Sequence, residues 1–514
     1  MKFKNYILSF IFLSLISCEQ FLEEKPYSFL SEANFPENAS DGRIALNGVY
    51  RIFSNGYIRG YYYVLYNSAD CDFSSYGPSL TSQGYGPYQN FNRTSADGFP
   101  KSLWINLYSA INSCNFVIDV TESKGFEGGD QLIAEAKALR AFFYMELTNC
   151  FGDIPLKVHN TVGISELDLP RSSVDEIRQL CIKDLDYAET TMEKYPSTFA
   201  VHTRGGLLTL GAVKMIKAHL YMYMAGSRRS WDGQMIAGDK SYWTDVRDLC
   251  QSIVNMGVYE LDPDYINIFR DYYLDIYNKE SIWEIDFSMP DNGTTFPNAM
   301  AAPPYGSASG GGFGNLRSTV DFYNSFDTLD IRRNWTIGNG KFSGYDFVPS
   351  ANIGTRPYVN KFRKVEGNGN NGWNTPYNIP VYRYSNVYLM LAEALNEINS
   401  GPTQEAYDAI NTVRYRARPA DHKTDETVLP DLEGLDYESF KTAIIDERAY
   451  ELAFEGFRRM DIIRWGIYLD RIKMVDDATY GMKKASNVKE YHMLLPVPLE
   501  ELNQNPAWNQ NDGW

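Results

Sequence analysis

The 514-residue sequence is poor in the residues that carry metal, phosphate and redox chemistry. Its five histidines, at positions 159, 202, 219, 422 and 492, are scattered, with no HExxH or other metal-ligand spacing. With Cys18 set aside as a lipidation site, five cysteines remain (Cys71, Cys114, Cys150, Cys181 and Cys250), an odd number with no CxxC spacing, which is neither a disulfide framework nor a zinc site and allows at most one or two bridges. Gly310–Gly314 lacks the Lys-Ser/Thr that completes a phosphate loop, so this run reads as a floppy loop. In Gly306–Gly310 an alanine, Ala308, stands where a nucleophile elbow needs serine. Positive charge is also in deficit: 48 basic residues face 65 acidic ones, a net charge of −17, which argues against nucleic acid and anionic lipid surfaces as partners. No metal and no cofactor is expected, and no apolar run of membrane-spanning length follows the first seventeen residues.

Those first residues are informative. Lys2 and Lys4 precede the apolar run Tyr6–Ile16, which has signal-peptide length. Leu15-Ile16-Ser17-Cys18 then resembles a bacterial lipobox, with Cys18 as the lipidation site and residues 1–17 removed. Residues 18–39, carrying Glu23 and Glu24, read as a tether to a membrane surface. Of the remaining cysteines, Cys114, Cys150 and Cys181 fall in helical patterns and read as small buried apolar groups.

Residues 40–514 read as a single, mainly helical domain. Apolar residues recur at helical spacing over Ser40–Ile52, Ser102–Val120, Asp130–Cys150, Val174–Tyr195, Gly206–Ala225 and Tyr242–Met256. The pattern resumes over Tyr384–Asn399, Gln404–Ala417 and Tyr437–Glu455. Successive helices of this length suggest tetratricopeptide-like pairs, each burying its stripe on the next, although an irregular helical domain fits the pattern equally well. The scaffold is thus 40–257 and 384–514. Tyr57–Pro100 reads as loop, and 258–383 as a loop-rich insert with a few short strands. Within the insert, Ser281–Ser288 alternates like a strand and Ile337–Lys341 reads as a hairpin turn.

Asp446–Gly466 is dense in both charge and aromatic bulk. Glu455 precedes Arg458 and Arg459 at helical spacing, as Arg448 precedes Glu451 and Asp461 precedes Arg464, so these groups can pair along a helix. Glu447 and Glu455 could form a catalytic acid/base couple, but no nucleophile or metal ligand accompanies them, and the structural reading is preferred.

What the sequence has in quantity is tyrosine, 38 residues, many of them in the presumed loops. A flat apolar face with a polar edge suits a ligand that is half apolar and half hydroxylated, such as a sugar. Among the loop aromatics Tyr76, Tyr85, Tyr88, Trp231, Phe296, Tyr305, Phe313, Trp335 and Trp373, the ligand-binding candidates are Tyr85, Trp231, Tyr305 and Trp335. The insert, facing the Tyr57–Pro100 loops, is where a binding site is expected.

Taken together, CEQFLEEKP after the lipobox, LWINLYSAINSCNFVID, AEAKALRAFFYMELTNCFGDIPL, VYRYSNVYLMLAEALNE, AINTVRYRAR, DERAYELAFEGFRRMDIIRWG and LLPVPLEELNQNPAWNQNDGW resemble the SusD/RagB family of Bacteroidetes nutrient-uptake lipoproteins. The resemblance runs nearly end to end. It implies four tetratricopeptide-like pairs in an α-α superhelical scaffold and an outer-membrane, cell-surface location. It also implies a SusC-like TonB-dependent barrel as partner, and a glycan ligand captured without chemistry. A peptide or glycopeptide ligand, or less readily glycoside hydrolysis, is the alternative. The family's recurrent motifs are scaffold, so no ligand contact carries over.

Overall fold

A computed structural model describes residues 35–514 except 82–84, 162, 164–168, 202–204, 290, 306–308 and 367–372. The signal segment, Cys18 and most of the tether lie outside these residues.

The helices pack in chain order. Gly98–Lys124 lies on Gly129–Phe151, which lies on Val174–Lys194, then Leu210–Ala225, then Tyr242–Asn255. The last of these packs directly on Tyr384–Asn399, which in turn meets Gln404–Ala417 and Tyr437–Leu452. The insert between Asn255 and Tyr384 is therefore looped out from a continuous stack of helix pairs, as the resemblance implies. Local chemistry sets the ends of these helices. Ser173 and Glu176 form a reciprocal capping box, Thr209 and Thr403 cap with their side chains, and Gly125 closes the longest helix with φ +60°. Ala134, Ala136, Ala138 and Ala141 are buried, so neighbouring helices approach Gly129–Phe151 closely. The five cysteines at 71, 114, 150, 181 and 250 are free and buried, with no bridge among them.

Three features depart from the sequence reading. Tyr57–Pro100 contains the helix Tyr61–Ala69, in which Tyr63–Ala69 are all buried. A helix buried all round has no polar stripe, so it shows no helical period. The Asn339-Gly340 dipeptide does not turn a hairpin. Ile337–Gly338 pairs with Tyr358–Val359, while Gly340–Ser343 pairs with Asp346–Pro349 around Gly344 at φ +59°. Finally, the last long helix stops at Leu452 rather than Glu455, because Phe454 and Gly456 are left-handed, at φ +64° and +86°.

The insert is attached through two small sheets. Ser74–Tyr76, Leu316–Ser318, Tyr358–Val359 and Ile337–Gly338 form one four-stranded sheet, which joins the insert to the Tyr57–Pro100 segment as expected. Ser281–Ile285, the expected strand, pairs with Ile379–Arg383 at the insert's base. Its helix Tyr265–Leu274 was not anticipated.

Beneath these sheets lies a buried ionic network. Glu451 accepts from Arg383 (2.8 Å), Arg416 (2.5 Å) and Arg332 (3.2 Å). Glu455 accepts from Lys361 (2.6 Å) and Arg383 (2.7 Å), and Glu280 from Arg383 and Arg416. Glu447 pairs with Arg332 and Arg414, and Asp330 with Arg332. Of the four neighbour pairings expected along Asp446–Gly466, only Asp461–Arg464 forms. The helix break redirects the others: Arg458 reaches Asp72, Arg459 reaches Asp70, and Arg448 reaches Asp461. Glu447 and Glu455 are thus bound into structural pairs.

The surrounding cations hold Glu451 well below the usual carboxylate range despite its burial, and lower Glu455 too. Glu284, buried and hydrogen-bonded by Ser281 and Asn378, is instead pushed up to about 8 by desolvation, with Asp286 and Asp275 acting in the same sense. Lowered carboxylates contribute stability that is full above their unfolded value of about 4.3 and is lost as pH falls through the folded values. Glu284 works in the opposite sense, its contribution falling as pH rises through about 8. Accordingly Glu451→Gln, which strands three cations, costs about 3–5 kcal/mol at pH 7 and flattens the acid loss of stability. Glu284→Gln replaces a group that must take up a proton on folding at pH 7, so it is neutral or stabilising there and removes the fall in stability as pH rises toward 8. Urea denaturation midpoints at pH 3–9 check both.

Candidate functional site

The glycine run in the insert is not floppy. An added Cβ would run into Pro304 O at Gly311 and into Asn298 O at Gly312. These glycines let the backbone lie flat against the turn 298–304. There Gly312 N donates to Ala302 O, Phe313 N to Asn298 O, Gly314 N to Ala301 O and Asn315 N to Ala299 O. With its backbone clamped and glycine on either side, Phe313 has nowhere to bury its ring.

The ring instead joins a cluster at the surface. Phe313 stacks on Tyr305 with centroids 4.6 Å apart and planes 12° apart, and Trp373 lies 5.2 Å from Phe313 and 5.5 Å from Tyr305. Trp373 is 62% exposed and Phe313 36%. Buried Asn298 organises the group. Its Nδ2 donates to Trp373 O (2.7 Å), its carbonyl holds Phe313 N, and its Oδ1 accepts from Lys364 Nζ (2.9 Å). The Lys364 ammonium sits 5.5 Å from the Tyr305 ring, and burial lowers it to about 8.

A second tyrosine cluster adjoins the first. Asn315 Nδ2 donates to Tyr61 OH (3.0 Å), and Tyr61 packs on Tyr62, which stacks on Tyr57 at 4.5 Å. Tyr57, Tyr62, Tyr85, Tyr88, Phe99 and Asp97 line a recess of about 360 Å³. Helix Tyr61–Ala69 supplies one wall and the start of helix Gly98–Lys124 the other.

Two models of one family match separate parts of the chain: residues 343–514 the SusD family, and residues 20–204 starch-binding proteins associating with the outer membrane. The chain belongs to the SusD/RagB family. It is 29% identical to SusD-like protein P25 of Formosa agariphila, over 100% of this chain and 99% of that one. A SusD homolog from Bacteroides thetaiotaomicron superposes with TM-score 0.79 at 25% identity, covering 94% of this chain and 98% of its own. Surface glycan-binding protein A from Bacteroides fluxus shares the fold, with TM-score 0.74 at 21% identity over 93% and 100% of the two chains.

Within this SusD-family chain, the candidates from sequence separate. Tyr85 and Tyr305 fall in the two clusters joined through Asn315. Trp231 stands elsewhere, under the Arg171 guanidinium at 5.3 Å, in a recess shared with Trp508. Trp335 has one face covered by Arg363 at 3.8 Å. Tyr76 and Phe296 are buried and serve packing, while Tyr88, largely buried, also lines the Tyr85 recess. Sequence reasoning named Phe313 and Trp373 as loop aromatics without choosing them as ligand contacts, and it passed over Tyr57 and Tyr62. For Phe313 the signal was present: a ring flanked by glycines has no neighbouring side chains to cover it.

Exposed rings contribute little to folding. Trp373→Ala is expected to change stability by less than about 0.5 kcal/mol. Phe73→Ala, removing a buried ring stacked at 4.1 Å on Phe322, costs about 3–5 kcal/mol. Chemical denaturation of the two variants measures the contrast.

Proposed function

We propose that the protein is a surface lipoprotein, anchored through Cys18, that captures oligosaccharides or polysaccharide and delivers them to a SusC-like TonB-dependent barrel in the outer membrane. The observation that carries this reading is the exposed Tyr305–Phe313–Trp373 platform, held open by the Asn298 clamp. Large aromatic surface costs free energy when left in water. A platform built this deliberately is suited to a partner whose own apolar face covers it. The axial C–H faces of a pyranose supply such a face, and the adjoining tyrosine hydroxyls and Asp97 suit its hydroxyl groups. Family membership supports the same ligand class, since the model matched by residues 20–204 describes starch-binding proteins associating with the outer membrane. Binding is favoured over hydrolysis because Glu447 and Glu455, the acid/base candidates from sequence, are locked in buried ion pairs.

Tyr305→Ala and Trp373→Ala are each expected to weaken glycan binding about tenfold, or about 1.4 kcal/mol. Calorimetry with an oligosaccharide identified on a glycan array reads the effect. Unchanged affinity in both variants would place the site elsewhere, and shortening of the oligosaccharide during the titration would make the protein a hydrolase.

A further inference from the structure

A recess of about 700 Å³ lies along helix Gly98–Lys124 and shares no lining residue with the Tyr85 recess or the platform. Its floor is one face of that helix, where Ile105, Ser109 and Asn112 recur at steps of four and three. One wall is the segment 155–161 and the other is the C-terminal segment 501–508. Ile105 is 48% exposed on this floor, in a helix whose other apolar residues are mostly buried.

The chemistry of the walls defines an occupant. Tyr108 OH donates to Pro155 O (2.8 Å), and Trp508 Nε1 donates to Leu169 O (3.0 Å). With their polar atoms tied back into the chain, these two rings offer the recess hydrocarbon faces. Asn112 bonds Asn160 and Thr161 N, and Lys157 bonds Thr161 Oγ1, so the polar wall is fixed in place. On the rim, exposed Ser109 and Gln504 keep a hydroxyl and an amide for water or a ligand. One lysine, Lys157, and one glutamate, Glu501, leave no charge of either sign in excess. Trp508 also borders the recess of about 300 Å³ that contains Trp231, giving the site a second lobe.

The geometry points to a second saccharide-binding site here, taking a run of neutral pyranose units and separate from the platform. An acyl chain would desolvate the amides and hydroxyls without replacing their hydrogen bonds. A peptide adding as a strand would find no edge, because Pro155 has no N–H and its carbonyl is held by Tyr108. The volume falls in the usual range for small-molecule pockets, about 300–1,000 Å³. The inference rests on the glycan reading proposed above and extends it. Two patches on one chain hold a polymer at two points, so the second contact forms at high effective concentration. Short fragments that fill one patch gain nothing from the other.

Affinity gel electrophoresis through gels containing laminarin, starch, xylan or mixed-linkage β-glucan tests this. The proteins compared are wild type, Tyr305→Ala/Trp373→Ala, and each of these carrying Ile105→Arg or Trp508→Ala. On a polysaccharide that retards the wild type, the platform pair retains residual retardation, and adding either recess substitution removes it. Either recess substitution alone weakens binding about tenfold. Ile105 is a surface residue, so Ile105→Arg blocks the floor without threatening the fold. Complete loss of binding in the platform pair alone, or residual retardation indifferent to both recess substitutions, overturns the second site while leaving the first. Failure of every polysaccharide to retard the wild type overturns the glycan reading and the second site together, as does retention of a peptide mixture in their place.

Discussion

Two buried carboxylates, Glu451 and Glu455, set the arrangement of this protein. A charge without water must be paired, and each is surrounded by cations drawn from distant parts of the chain. Arg383 comes from the strand at the insert's base, Arg416 from the preceding helix, and Lys361 and Arg332 from the insert. The helix break at Ala453–Gly456 is part of the same device. It turns Glu455 back toward Lys361 and frees carbonyls at the helix end, and Lys361 Nζ donates to two of them, Glu451 O and Ala453 O. Arg383 Nη2 takes the Glu451 carbonyl as well. An element of the insert therefore caps a helix of the scaffold, and neither is satisfied without the other.

From that junction the constraint passes to the surface through a few residues. Val359 is in the four-stranded sheet, and Asn360 Oδ1 accepts from Ala302 N. Lys361 enters the ion network, and Lys364 donates to Asn298, the residue that positions Phe313 and Trp373. One face of the segment 359–364 reads the buried charges and the other holds the turn beneath the aromatic platform. Rings fixed in this way lose little freedom when a ligand arrives, which is how preorganisation raises affinity.

The scaffold was legible because its signals are local. Apolar spacing over Asp130–Cys150, the Ser173 cap and the alanines at 134, 136, 138 and 141 each carry their own reason to be helical and close-packed. Family motifs were legible for the same reason, since they consist of those helices. The site was harder to read because it depends on contacts across long sequence separations. Tyr305 could be singled out as a loop aromatic, but its partners Phe313 and Trp373 are gathered by Asn298, whose role no spacing reveals. Arg458 and Arg459 illustrate the same limit. Their helical distance from Glu455 suggested a local pair, and a left-handed turn sent them to Asp72 and Asp70, over three hundred residues away. The helix Tyr61–Ala69 was hidden because every residue after its first two is buried, leaving no polar stripe.

Hydrogen–deuterium exchange followed by mass spectrometry tests most directly whether buried charge makes insert and scaffold one cooperative unit. Amides in 296–302, 313–318, 358–361 and 379–384 should share the slow, global exchange of the helix Gly129–Phe151, since the ion network ties their opening to unfolding of the whole. Early exchange across those segments while Gly129–Phe151 stays protected would mean that the insert opens on its own, contradicting the account.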